Sequence, residues 1–192
     1  MKTETHLKYA YYLKEKYLSF CSSYDKGAFV WGCVEPDVNL FSYLKGFRIK
    51  PFYGHNRENT TRYISKTVLK SENGQIGCFG LGRLVHYVCD AFTLPHNQLF
   101  ICNMKEHNQY EKRLHYILTD MYSDDRPIKY RNISSGGLNH ELSVLCDRYY
   151  RSVHSEVNDA EFIISAVNSV MTAWVSGVQN RMSTLKKPHS LN

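Results

Sequence analysis

Residues 77–96, GCFGLGRLVHYVCDAFTLPH, decide the fold class of this chain. Apolar side chains run from Cys78 to Leu94 with no alternation of apolar and polar positions. The run is too long for a strand, so it predicts an apolar helix over Gly77–Leu94. Pro95 ends it, because proline lacks the N–H that a helix needs and clashes with the preceding turn. Inside this apolar helix stand His86 and Asp90, four residues apart and therefore on one face. A carboxylate buried without a partner is very costly. A metal ion is the usual remedy, since histidine, aspartate and glutamate all ligate zinc. Beyond Pro95, His96 can point from the end of the helix toward a second ion.

The same spacing recurs in His107 and Glu111, on a polar-faced helix expected over Lys105–Tyr122 and stopped by Ser123–Pro127. With 9 His and 18 acidic residues in the chain, about 0.8 such pairs arise by chance. Spacing alone therefore carries little, and each pair taken singly could be a solvated ion pair on a helix surface. The apolar setting of His86 and Asp90 tips the balance. His96, His107 and Glu111 would then form a three-ligand set with an open position, the pattern of a catalytic site.

Helical periodicity dominates elsewhere. Helices are expected over Thr5–Phe20, Asn59–Leu69, Leu138–His154 and Asp159–Thr184, with Thr3 or Thr5 as the cap of the first. Ser22–Tyr53, with Gly27, Gly32, Pro36, Gly46 and Pro51, reads as loops with short turns. No confident strand is present. The expected fold is therefore all-α, a single multi-helix domain over residues 1–185, followed by a disordered tail at 186–192. Fifteen Tyr and nine Phe serve mainly to fill helix–helix interfaces, and Trp31 and Trp174 are expected in the core.

The formal charge of +6 favours phosphate-bearing partners, but no run of Lys and Arg exceeds two, so a dedicated nucleic-acid-binding arm is not expected. Residues 1–20 carry too many charges for a signal peptide. No stretch approaches the roughly 20 apolar residues of a membrane helix. The six cysteines form no C-x-x-C pair and read as reduced, mostly buried thiols. A cytoplasmic location is expected.

The string His86-x3-Asp90-x5-His96, followed by His107-x3-Glu111, resembles the zinc-dependent phospholipase C family and its relatives, the S1/P1-type nucleases. An early histidine, His6, fits their order. So do Pro36-Asp37 after Gly32 and the lone His55 in Phe52-Tyr-Gly-His55. The resemblance spans Met1 to about His115. It implies an all-helical fold of the phospholipase C and P1 nuclease type holding up to three zinc ions. One ion would be held by Asp37, His55, His86 and Asp90, and a second by His96, His107 and Glu111. A third would be held by His6, by Asp90 as a bridge, and by the amine and carbonyl of Met1. The family begins with Trp where this chain has Met1, and this chain looks shorter than the secreted members.

Zinc clamped on a phosphodiester offsets charge in the transition state and acidifies a bound water. Asp37 is the candidate catalytic residue, orienting or deprotonating that water. The expected activity is phosphodiester hydrolysis of phospholipase C type, with a phospholipid head group as substrate. Two alternatives stay open: a nuclease or nucleotidase on the same metals, and a metal-binding protein without turnover. His115, His140, His154 and His189 match no family position and are expected to be surface or core histidines.

Overall fold

The computed structural model describes residues 1–38, 57–96, 103–123 and 137–185. His55, Phe52, Tyr53, Cys102 and the expected tail lie outside them. Seven α-helices occur among the described residues: α1 Thr3–Tyr17, α2 Ser23–Val38, α3 Arg57–Glu72, α4 Cys78–Ala91, α5 Met104–Ser123, α6 Gly137–Arg151 and α7 Glu156–Leu185. A short 3-10 turn, Leu94–His96, follows α4. No strand is found among the described residues, and the fold is all-α as the periodicity predicts.

The apolar helix α4 lies at the centre. It packs against α2, α3 and α7, while α7 also meets α3, α5 and α6, and α1 rests on α2. Leu81, Leu84, Val88 and Cys89 of α4 join Phe162, Ile163, Val167 and Val170 of α7 in one buried core. Burial of this size is the main stabilising term in any folded chain.

Backbone approaches backbone where α2 crosses α4. A Cβ on Gly82 would sit 2.2 Å from the carbonyl oxygen of Phe29, and one on Gly32 would sit 2.2 Å from that of Phe79. Only glycine fits at either position. The crossing explains why Ser22–Tyr53 is misread as loop in its first half. Gly32 is a contact residue rather than a breaker, and Pro36 lies inside α2 near its end, where the helix continues one N–H short. The same logic seats the end of α3 on α7: Gly74 has φ +60°, and a Cβ on Gly177 would lie 2.2 Å from the Glu72 carbonyl oxygen.

Three further expectations are corrected. Helix α1 starts with Lys2 as its cap residue and no side-chain capping bond, because the hydroxyls of Thr3 and Thr5 bond across to other helices. Trp31 is 53% exposed rather than core, whereas Trp174 is buried and donates to the Ile76 carbonyl at 2.9 Å. Helix α7 proves long and apolar enough, by length and composition, to cross a membrane. Its many small and polar members (Ser165, Asn168, Ser169, Thr172) hide this from a search for continuous apolar residues. Over half of its most apolar stretch is buried inside the protein, as befits a core helix. All five cysteines among the described residues are free thiols, three of them buried.

Candidate metal centre

Four elements meet around Asp90. The start of α1 brings Met1 and His6, the end of α2 brings Asp37, α4 brings His86 and Asp90, and α5 brings His107 and Glu111. The Leu94–His96 turn adds His96. His6, His86 and Asp90 are all buried, and their ligand-type atoms lie within 4.8 Å of one another. His96, His107 and Glu111 form a second such group at the same spacing.

Asp90 faces two ways. Its Oδ1 accepts from the Met1 amine at 2.8 Å and lies 3.2 Å from His6 Nε2. Its Oδ2 lies 3.3 Å from His86 Nε2. The rings of His6 and His86 stack at 4.0 Å. The Met1 amine joins the two groups, at 2.9 Å from His96 Nε2 and 3.3 Å from Glu111 Oε1. Glu111 Oε1 is in turn 3.2 Å from His107 Nε2 and 3.8 Å from His96 Nε2.

The helix crossing sets the ring of His86. With α2 pressed on α4, the Nδ1–H of His86 donates to the Cys33 carbonyl at 2.9 Å. That bond fixes the ring and leaves Nε2 facing Asp90 and Asp37, the arrangement found behind metal-ligating histidines. Asp37 stands in the last turn of α2 rather than in a loop. Its Oδ1 is 3.7 Å from His86 Nε2, and its Oδ2 accepts from Thr3 Oγ1 at 2.9 Å. A carboxylate is disfavoured at a helix C-terminus, but this one abuts the positive N-terminal end of α1.

Charge is concentrated here far from water. Burial disfavours the charged Met1 amine, yet Asp90 and Glu111 overcome it and raise the amine to about 10. Burial likewise opposes ionisation of Asp90, but the amine, His96 and His86 hold it well below the usual carboxylate range. Glu111 is brought down to about 2 against its own burial, by His96 and the amine. His6 is pushed down to about 4 by burial and by its neighbour His86, so it is a neutral nitrogen donor at neutral pH. Imidazole nitrogens and ionised carboxylates converging on shared volumes are the donor set zinc prefers.

Every sequence-predicted ligand among the described residues therefore lies in this cluster. One partner has no signal in the sequence: Thr3 supports Asp37, and no motif marks it. His115, expected as a surface or core histidine, is buried and pairs with Thr5 Oγ1 at 2.9 Å. Cys89, adjacent to Asp90, is fully buried in the core. A family model described as zinc dependent phospholipase C matches residues 5–156. No curated protein and no solved structure gives a match.

Proposed function

The chain belongs to the zinc dependent phospholipase C family, and from that premise we propose that it hydrolyses a phosphodiester bond of a phospholipid. The observation that carries this reading is the convergence of two histidine–carboxylate groups on the buried Asp90 and the Met1 amine. In our assignment Asp37, His55, His86 and Asp90 hold one ion, and His96, His107 and Glu111 a second. His6, Asp90 and the Met1 amine and carbonyl hold a third. Zinc bound at such residues supplies Lewis-acid stabilisation of phosphate charge and a water acidified toward neutral pH.

Asp37 has the remaining chemical task. It is the least buried carboxylate of the cluster, with its side chain 16% exposed against 2% for Asp90. Thr3 steadies one of its oxygens and leaves the other facing His86. Asp37 accepts the proton of the attacking water as its oxygen bonds to phosphorus, and the P–O bond to the alcohol breaks with a proton returned to the leaving oxygen. Replacing Asp37 by Asn keeps size but removes the base. Asp37→Asn should retain at least two zinc ions and lose about 10²–10⁴ in turnover. Wild-type turnover in that variant would take Asp37 out of the mechanism.

The reading is tested by elemental analysis of the purified chain beside an activity screen on a phosphocholine ester and a single-stranded oligonucleotide. Bound zinc with cleavage of the phosphocholine ester is expected. Cleavage of the oligonucleotide alone would instead favour the nuclease resemblance, which rests on the order of the ligands. Zinc without turnover on either substrate would leave a metal-binding protein.

A further inference from the structure

We propose that Asp159 of α7, with Tyr110 of α5, is a positioning clamp that holds the His96 corner and the Glu111 turn in register for metal binding. The clamp rests on the metal-centre reading above, but Asp159 lies beyond the stretch 5–156 that the family model covers. At the corner after α4 the Leu94 N–H turns to side chains, whereas those of Phe92, Thr93 and His96 bond to backbone carbonyls. Pro95 has no N–H to give, and the turn is held from within by His96 N–H donating to the Thr93 carbonyl at 3.0 Å and by Thr93 N–H donating to that of Asp90 at 3.1 Å. The N–H of Leu94, two residues before His96, is secured from outside. It donates to Asp159 Oδ2 at 3.0 Å and reaches the Tyr110 hydroxyl at 3.3 Å.

The same carboxylate oxygen accepts the Tyr110 hydroxyl proton. Tyr110 immediately precedes Glu111, so this bond also fixes the height of α5 opposite His96. Asp159 is fully buried and Tyr110 nearly so, at 0% and 4% exposure. A buried carboxylate that takes the Leu94 N–H and the Tyr110 hydroxyl, with the Tyr149 hydroxyl of α6 beside it, costs more than a surface residue would, and two of its partners stand on the ligand-bearing segments it aligns. Asp159 touches no ligand atom itself. It acts through the Leu94 amide on His96 and through Tyr110 on Glu111.

Asp159→Ala, Asp159→Asn and Tyr110→Phe test the clamp, with zinc affinity read by competition against a chromogenic chelator and folding read by circular dichroism. Outer partners of metal ligands typically change metal affinity by about 10- to 100-fold. Asp159→Ala should weaken one zinc by that amount and leave the ions on His6, His86 and Asp90 unchanged. Asp159→Asn keeps an oxygen for Leu94 N–H and should restore much of the loss. Tyr110→Phe keeps the ring and should fall toward the lower end of the range, which carries the test if Asp159→Ala fails to fold. Folded Asp159→Ala and Tyr110→Phe chains binding every zinc as the wild type does would overturn the clamp alone. Equal loss of all ions with a lowered melting temperature would also overturn it, marking a merely structural role. A wild-type chain that binds no zinc would overturn the metal centre itself, and the clamp with it.

Discussion

Asp90 shows how one residue can organise a site. Its two oxygens address different groups, Oδ1 the Met1 amine and His6, Oδ2 His86. The identity and spacing of His86, Asp90, His96, His107 and Glu111 make most of this cluster legible in sequence, because helix geometry converts a four-residue spacing into a shared face. Thr3 and Cys33 are not legible, since a hydroxyl or carbonyl has no characteristic spacing to the group it steadies. The Met1 amine yields a prediction with a defined sign. Its pKa rises from 8.0 to about 10 in the metal-free fold. In that state the charged amine contributes stability that is fully present below about pH 8 and lost as pH rises through about 10. Zinc must displace this proton, so affinity at the third site should rise up to about tenfold per pH unit between pH 7 and 9. A chain extended by a few residues ahead of Met1 should lose one zinc and about one proton from that slope. Equal metal content and equal slope in both chains would remove the amine from the ligand set.

At the scale of elements, the α2–α4 crossing positions the chemistry. It places Asp37 near His86 and sets the carbonyl of Cys33 against the His86 ring. Gly82→Ala pushes a methyl into the Phe29 carbonyl at 2.2 Å, and the obstacle is backbone that no rotamer change can relieve. The cost should reach the upper end of the roughly 1–3 kcal/mol seen for overpacking, about 6–12 °C in melting temperature for a chain of this length. Gly80, two residues away, meets only the Ile76 side chain at an ordinary 3.5 Å. Gly80→Ala should therefore stabilise α4 by about 0.5–1 kcal/mol. Thermal melts of the two variants decide the matter, and equal shifts would deny the crossing its role. The contrast shows why the helices themselves were readable while α2 was not. Apolar periodicity finds an element that buries a stripe of large side chains, as α4 and α7 do. Helix α2 instead puts a single glycine, Gly32, at its closest contact beside Phe29 and Cys33, and glycine and proline in sequence look the same whether they break a helix or admit a neighbour.

Across the whole molecule, the candidate metal centre ties segments that are remote in sequence. Met1 and His6 begin the chain, Asp37 ends α2, and His107 and Glu111 lie on α5 some seventy residues further on. Apolar packing joins α4 to α7 firmly. The cluster end is different in kind, because its interior is polar: His6, His86, Asp90 and Glu111 are buried there together. Without metal, the amine and the histidines must balance Asp90, Glu111 and Asp37 alone, in a place where an imperfectly paired charge costs several kcal/mol. Metal bound to the folded chain and not to the unfolded one stabilises by mass action, about 4 kcal/mol for a single ion at a thousandfold excess over its dissociation constant. With roughly 2–4 °C per kcal/mol for a chain of this size, removing even one such ion should lower the melting temperature by about 8–16 °C. Chelator titration followed by elemental analysis and a thermal melt measures this directly. A melting curve that stays in place after confirmed metal loss would mean the helical core holds α1, α2, α4 and α5 together unaided. The buried amine–carboxylate pair would then suffice to close the polar end.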